Sequence, residues 1–347
     1  MIRIAMLSFW HVHGKDYARE TDEHPDTEIA AIWDEVPERG RAEAAARGVP
    51  FFESLDELLA QPNIDAVVVD APTSLHREVM IAAARAGKHI FTEKVIASTL
   101  RDAEEIVREA DRAGVRFVVS LRRLPFASTR AIKNIVDQGL LGDLTLVSVR
   151  DGHSAVLPSA ANPRGFLSDE FLDPALAQGG VLIDMCHSVY LTRHLLGAPE
   201  SVSASFGFVS GRPVEDNAVL TMRCANGALG IAHATYVVRA APFAIEVHGT
   251  EGSLLISGFG DDAALLRMGA DEPETLFPPV NYLEETRGHS GLVGAFGIFL
   301  EQLANAITDH LIAPELPTFA DGVQITRLID AIRLAAREKR RVAVSEI

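Results

Sequence analysis

The sequence predicts an α/β protein, with a doubly wound parallel sheet in its first third and a second α/β domain built on an open, mainly antiparallel sheet. Three observations predict it. Up to about residue 120, short β-branched or apolar runs alternate with longer amphipathic stretches, the rhythm of parallel strands joined by helices. Beyond about residue 145 the apolar period falls to two, as expected of strands with one buried face. A length of 347 residues exceeds what a single core usually serves, so two domains are expected, 1–122 and 123–347.

In chain order, the parallel strands are placed at Ile2–Leu7, Glu28–Trp33, Ala66–Asp70, His89–Thr92 and Arg116–Val119. Helical spacing marks Pro37–Arg47, Leu75–Ala86 and Leu100–Ala113, and Gly87 and Gly114 stop the last two. A further helical segment, Thr129–Asp137, lies near the domain boundary. In the second half, Ser201–Phe208, Ala218–Cys224, Leu229–Val238 and Phe243–His248 alternate as strands, with turns at Asn226-Gly227 and Gly249–Gly252. Helices return at Val181–Leu196, Gly294–Ile307 and Val323–Glu338.

The composition is globular, 48% hydrophobic and 23% charged, and no stretch approaches the roughly 20 apolar residues of a membrane span. A formal net charge of −16 repels phosphate backbones and anionic lipid, so no nucleic acid and no membrane partner is expected; a small neutral ligand is favoured. Cys186 and Cys224 are too few for a disulfide framework and lack the spacing of a structural zinc site, which fits a reducing compartment. Met1–Ser8 reads as a strand, without the basic flank and long apolar core of a signal peptide, so the expected location is the cytoplasm.

The first strand leads into Ser8-Phe9-Trp10-His11-Val12-His13-Gly14, where a dinucleotide-binding protein carries Gly-x-Gly-x-x-Gly. Ser8, Trp10 and His13 stand at the three glycine positions. Backbone N–H groups at the following helix start still attract a diphosphate, because that attraction comes from peptide dipoles and not from glycine. A strand–turn–helix with no ligand is the plain alternative. Asp34, ending the second strand, is placed to accept hydrogen bonds from the adenosine ribose and to repel a 2′-phosphate, which favours NAD over NADP; the alternative is a helix cap. Asp65–His76 ends a buried strand with a turn through Ala71, Pro72, Thr73 and Ser74. Glu93 and Lys94 fall at the carboxyl end of the next strand, where ligands of such sheets bind. A lysine there can polarise a substrate oxygen and relay its proton; an exposed surface lysine is the alternative.

Together, Asp65–Val95, with Glu93-Lys94-Val95 in place of a Glu-Lys-Pro signature, Arg122-Arg123, Gly139–Gly142, Gly179–His187 and Pro317–Gly322 resemble the Gfo/Idh/MocA family over nearly the whole chain. The resemblance implies a Rossmann domain followed by an open-sheet domain through which homodimers or homotetramers pack. It implies hydride exchange between a nicotinamide and a secondary alcohol or ketone of a sugar, cyclitol or related polyol. Lys94 matches the catalytic lysine, Glu93 its neighbour in the nicotinamide pocket, and Asp184 and His187 the catalytic pair facing the substrate, so that Lys94 and His187 are expected to remove and relay the hydroxyl proton while Asp184 orients the substrate or the histidine; three residues apart on a predicted helix, Asp184 and His187 share a face. The cofactor-binding set is then Ser8, Trp10, His11, Val12, His13, Asp34, Ala71, Pro72, Thr73, His76, Glu93, Lys94 and Arg123. Substrate falls to Lys94, Arg123, Asp184, His187 and Tyr236, with His233 and Glu246 supplying further polar groups from the sheet; no metal is expected.

Three features depart from the family pattern: the glycine loop is replaced, the proline after Lys94 is Val95, and three residues instead of four lead from Asp184 to His187. They motivate a second reading, a member that binds its ligand without turnover or cleaves glycosides with NAD and no net oxidation. A third reading, a metal-dependent hydrolase, rests on His11-Val12-His13, two histidines able to converge on one ion. It needs eight consecutive strand–helix units, against the period of two in the second half.

Overall fold

The computed structural model describes residues 1–239, 243–257, 264–275, 299 and 319–347. The chain divides into two compact units: Met1–Arg122 with Ala175–Gln178 and Leu292–Thr326, and Arg123–Pro174 with Gly179–Gly291 and Arg327–Ile347.

In the first unit, strands β1 (Ile2–Leu7), β2 (Thr27–Trp33), β3 (Phe51–Phe52), β4 (Ala66–Val69), β5 (His89–Thr92) and β6 (Phe117–Val119) line up in the order β3-β2-β1-β4-β5-β6. Every pairing is parallel. Helices α1 (Gly14–Glu23), α2 (Pro37–Arg47), α3 (Leu55–Leu59), α4 (His76–Arg85) and α5 (Leu100–Ala113) make the crossovers. The order reverses between β1 and β4, and a crevice at the carboxyl ends of these strands is where such sheets take ligands. Local sequence explains the elements. β4 is Ala-Val-Val-Val and wholly buried, as a strand covered on both faces must be. α5 starts at Thr99, whose side chain accepts the Asp102 N–H, and stops at Gly114 in the left-handed conformation. The core gathers Ile4, Met6, Ile32, Val68 and Phe91, with the Phe299 ring 5.3 Å from that of Phe91. Apart from Phe299, which is helical, the predicted helix 294–307 lies outside the described residues, as do Pro317 and Thr318.

In the second unit, β7 (Leu144–Gly152), β8 (Ser201–Gly207), β9 (Asn217–Arg223), β10 (Leu229–Thr235), β11 (Ala244–Gly249), β12 (Gly252–Ser257), β13 (Ala264–Arg267), β14 (Glu274–Thr275) and β15 (Val342–Ala343) form one sheet. Its order is β14-β13-β12-β11-β7-β10-β9-β8-β15. The sheet is mixed, because β7 and β10 run parallel while the other neighbours are antiparallel. The sequence reading had no strand over 144–152, although it is the middle one. Helices α6 (Ala127–Asp137), α7 (Pro174–Ala177), α8 (Val181–Asp184), α9 (His187–Leu196) and α10 (Phe319–Glu338) complete the described elements. α9 packs on β7 and β10, and a Cβ on Gly230 would lie 2.7 Å from Thr192, so β10 needs glycine at that crossing. The continuous helix expected over 181–196 is two helices, broken at Met185 (φ −99, ψ 35) and Cys186. Among the described residues no helix is long and apolar enough to cross a membrane.

Candidate active site

The loop from β1 to α1 turns as a glycine loop would. Ser8 takes φ 78, the left-handed region that favours glycine, and its Oγ accepts the Trp10 N–H at 3.0 Å. Gly14 remains glycine because a Cβ there would lie 3.3 Å from Phe9 Cα. Trp10 is buried and Val12 exposed. His13 is the N-cap of α1 and its side chain makes no cap bond; the Gly14 N–H donates to the His11 carbonyl at 3.0 Å and the Asp16 N–H to the His13 carbonyl at 2.9 Å.

Asp34 changes role. Expected at the ribose, its carboxylate accepts the N–H groups of Phe9 (3.0 Å) and Val36 (2.8 Å) and Arg39 Nε and Nη2 (2.9 and 2.8 Å). Four bonds fill a carboxylate, so in this conformation Asp34 holds the loop and has no acceptor left for a ribose. Arg39, which the sequence reading missed, also reaches Glu35 at 2.5 Å and Ser8 Oγ at 3.4 Å. Its only signal was a guanidinium early in the helix after the acidic residue. His76 likewise serves the fold. Buried, it ties the β4 turn to the loop after β5, with Nε2 on the Ala71 carbonyl (3.0 Å) and Nδ1 on the Val95 carbonyl (2.9 Å). Ala71, Pro72 and Thr73 are buried in the turn that it braces.

Lys94 is 5% exposed and Glu93 1%, which removes the surface-lysine alternative. Glu93 Oε1 accepts the Tyr17 O–H, and Oε2 accepts the Lys94 backbone N–H at 3.0 Å. Lys94 Nζ lies 3.5 Å from Glu93 Oε2 and 3.4 Å from His11 Nε2. Burial pushes the Glu93 carboxyl up, but Lys94, His11, His13 and the Tyr17 hydrogen bond outweigh it and hold Glu93 far below the ordinary carboxylate range. Asp70, at the end of β4, goes the other way. Neither of its oxygens has a hydrogen-bond partner among the described residues, and burial followed by the Glu93 charge raises it well above that range. The two buried carboxyls are thus pushed in opposite directions, Glu93 towards the anion and Asp70 towards the acid.

One nitrogen or oxygen from each of His11, His13 and Glu93 lies within 4.8 Å of the others. Lys94 Nζ already stands against two of them, and the open parallel sheet with a mixed sheet in the other unit is not the eight-unit barrel that the hydrolase reading requires. That topology overturns the hydrolase.

In the second unit, Arg123 is buried, pairs with Asp151 on β7 (Nη2–Oδ1 2.9 Å) and lies 5.4 Å from the Phe243 ring centroid. Its backbone N–H donates to the Tyr190 hydroxyl at 3.2 Å, and that hydroxyl is 2.9 Å from His187 Nδ1. The Tyr190 hydroxyl thus joins the Arg123 backbone to the His187 imidazole. Asp184 Oδ2 accepts the Tyr236 O–H at 2.9 Å, and the Tyr236 ring stacks on His153 at 5.3 Å. Burial, then Asp184, pushes the Tyr236 phenol well up, so it remains a donor. Asp151, His153 and Tyr190 were absent from the sequence reading. Asp184 and His187 do not share one helical face: Asp184 ends α8 and His187 opens α9. His233 and Glu246 are also corrected. Strand register sets them beside Arg150 and Ser148, on the face of the sheet turned away from α9, and His233 Nε2 bonds Asn217 at 2.8 Å.

Two family models match the chain: an oxidoreductase family with an NAD-binding Rossmann fold over residues 3–121, and the GFO/IDH/MocA C-terminal domain over residues 129–255. A 1,5-anhydro-D-fructose reductase of Ensifer adhaerens is 34% identical over 233 residues, 66% of this chain and 68% of that one. The protein belongs to the Gfo/Idh/MocA family. An inositol 2-dehydrogenase of Rhizobium meliloti (strain 1021) is 24% identical over 99% of both chains. Among solved structures, a levoglucosan dehydrogenase in complex with NADH and L-sorbose superposes with a TM-score of 0.79 at 22% identity, covering 99% of each chain. A dehydrogenase of Bordetella pertussis in complex with NADH and UDP-GlcNAcA gives 0.81 at 24% identity, covering 99% of this chain and 97% of that one. At these identities the two structures establish the fold. As a Gfo/Idh/MocA member the protein is a nicotinamide-dependent oxidoreductase, and its first unit is the NAD-binding domain. The glycine-like turn at Ser8 and the close approach at Gly14 fit that cofactor.

Proposed function

We propose that the protein oxidises a secondary carbinol of a small polyhydroxylated substrate, a sugar, cyclitol or anhydrosugar, or reduces the matching ketone, with NAD as the cofactor. The observation that carries this reading is Lys94, enclosed beside ionised Glu93 at the carboxyl end of β5. When bound, the nicotinamide accepts or returns the hydride. Lys94 Nζ takes the substrate hydroxyl proton as the carbonyl forms, and Glu93 stabilises the ammonium so produced. We assign Asp184 and His187 to the substrate hydroxyls from the family match; Tyr236 and Tyr190 orient them. Arg123, held by Asp151, keeps Tyr190 in place.

The test is a screen of polyols and keto-sugars at 340 nm with NAD and NADP in parallel, then the Lys94→Ala variant on any substrate found. Turnover should fall by about a hundredfold or more while NAD binding stays. Full activity in the variant would reject the assignment. A wild type that binds NAD but never changes its absorbance would support a non-catalytic member instead.

We further propose a homo-oligomer packed through the exposed face of the mixed sheet, where Val219, Leu229, Leu255 and Leu266 are all about two-fifths exposed or more. Light scattering at micromolar concentration tests it. A cytoplasmic location accords with two free, buried cysteines.

A further inference from the structure

We propose that the second unit holds a binding site for a small phosphorylated anion, in a basic cavity between the edge of β8 and the carboxyl end of α10. The cavity has a volume of about 720 Å³, the size of a small-molecule site. Residues 203–206 of β8 give one wall. The other is cationic, with Arg337, Lys339, Arg340 and Arg341 at and just beyond the end of α10. The site stands apart from the reaction assigned to Lys94.

Charge is concentrated here against the trend of the whole chain. The formal net charge is −16, yet residues 327–347 carry six arginines and lysines against three carboxylate side chains. A helix dipole favours a cation in the last turn, which accounts for Arg337. It does not account for the three cations that follow. Arg340 is engaged by Glu338 and Glu346, at 2.6 and 2.7 Å. Among the described residues, Arg337 meets only Glu338, at 3.9 Å, and the side chains of Lys339 and Arg341 pair with no carboxylate. Lys339 also holds φ 52, in the left-handed region, and the Arg340 N–H reaches back to the Ala335 carbonyl at 3.3 Å. Glycine is the usual residue at such a helix stop, and a lysine there is strained. Conformation alone favours glycine, so the ammonium is held at this position against it.

The β8 wall supplies donors of another kind. Successive side chains of a strand point to opposite faces, so four consecutive residues line one cavity only along the strand's edge. β9 pairs with β8 from Ser201 to Gly207, whereas β15 covers only Ser201 and Val202 on the other side. Every second residue of an antiparallel edge turns its N–H outward, so backbone donors join the cations, and Ser203 and Ser205 bring hydroxyls. Guanidinium forks and N–H groups converging on one cavity are the chemistry that holds phosphate oxygens. Phe206 and Phe208 also line the cavity, the latter 55% exposed, and offer apolar surface to the organic part of the ligand. None of the four apolar residues proposed for oligomer packing lines it. Cations beside an open edge also discourage association of strands, but that role requires no ligand.

Calorimetry on the full chain, saturated with NAD so that the Rossmann unit is filled, tests the site with inorganic pyrophosphate and inorganic phosphate. Pyrophosphate should bind with a Kd below about 1 mM and phosphate more weakly, and both should weaken as NaCl rises from about 50 to about 300 mM. Arg341→Ala and Lys339→Gly should each weaken pyrophosphate about tenfold, the loss of one charge-assisted hydrogen bond. Glycine suits the left-handed φ, so the thermal midpoint of Lys339→Gly should not fall, and NAD affinity should stay within about twofold in both variants. A wild type that binds no pyrophosphate, or an affinity unchanged in both variants, would overturn the site. Unchanged affinity with increased self-association of the variants in light scattering would leave the cations as guards of the β8 edge and would likewise overturn it.

Discussion

Glu20→Gln should stabilise the protein at pH 8 and leave it unchanged at pH 4. Glu20 lies on the buried side of α1, 8% exposed, and neither carboxylate oxygen has a hydrogen-bond partner among the described residues. The nearest cation is Arg19, with Nη2 4.0 Å from Oε1. The residue sits in the C-terminal half of the helix, where the dipole opposes negative charge, and Asp16 and Glu23 add to the repulsion. Burial first, and these carboxylates after it, push Glu20 from 4.5 up to about 7. At about 1.4 kcal/mol per pH unit the rise has a ceiling of about 3.4 kcal/mol, and partial access to water brings this to about 1.5–2 kcal/mol. The sign follows from proton binding. Below about pH 4 folded and unfolded chains both hold the proton, and nothing is lost. Between about 4.5 and 7 the unfolded chain releases it first, so stability falls as pH rises; above about 7 the full penalty remains. Thermal unfolding of both proteins at pH 8, 6 and 4 reads this directly. A midpoint gain of about 3–8 °C at pH 8, vanishing at pH 4, is expected. An equal shift at every pH, or a loss at pH 8, would refute the reasoning, because either would place the effect outside the carboxyl's ionisation.

Glu93→Gln should destabilise the first unit by about 3–5 kcal/mol at pH 7, since it leaves Lys94 and the Tyr17 hydroxyl facing a neutral amide in a buried setting. Because the Glu93 carboxyl is held below its ordinary range, that stability is complete at neutral pH. It is lost only as pH falls through the depressed value, so urea midpoints of wild type and variant should converge in strong acid. Arg39→Ala frees two acceptor positions on Asp34, and the kcat/KM ratio for NAD over NADP should rise by about tenfold, the worth of about 1.4 kcal/mol; an unchanged ratio would show that Asp34 plays no part at the ribose.

The parallel half of the fold was legible because its signals are local. β4 is four buried apolar residues, and α5 carries its own cap and its own glycine stop. Strand β7 was not, because Arg150-Asp151 interrupts its alternation, and Asp151 is buried only through its pairing with Arg123, 28 residues earlier in the chain. The break between α8 and α9 has no glycine or proline to announce it. It follows from contacts brought by the segments just before β9 and just after β10: Glu215 Oε1 accepts the N–H groups of Gly180 and Leu182, and the Tyr236 hydroxyl donates to Asp184. Lys94 was legible from its place at a strand end. The His11 partner, 83 residues away, was not.

Asp34 was misread for a related reason, and its correction links the departures from the family pattern. A glycine loop leaves room for a dinucleotide because it needs no side chain to hold it. This loop replaces that freedom with side-chain bonds: Ser8 Oγ on the Trp10 N–H, Asp34 on the Phe9 N–H, and Arg39 locking Asp34 and Glu35 together. The acidic residue that would read the ribose is thereby drawn into the scaffold, and the same replacement puts an imidazole at residue 11, against the lysine. A protein that merely lost its glycines would show a collapsed turn and an unsupported lysine. Here Ser8 keeps the left-handed turn, and Lys94 stays buried against Glu93 and His11.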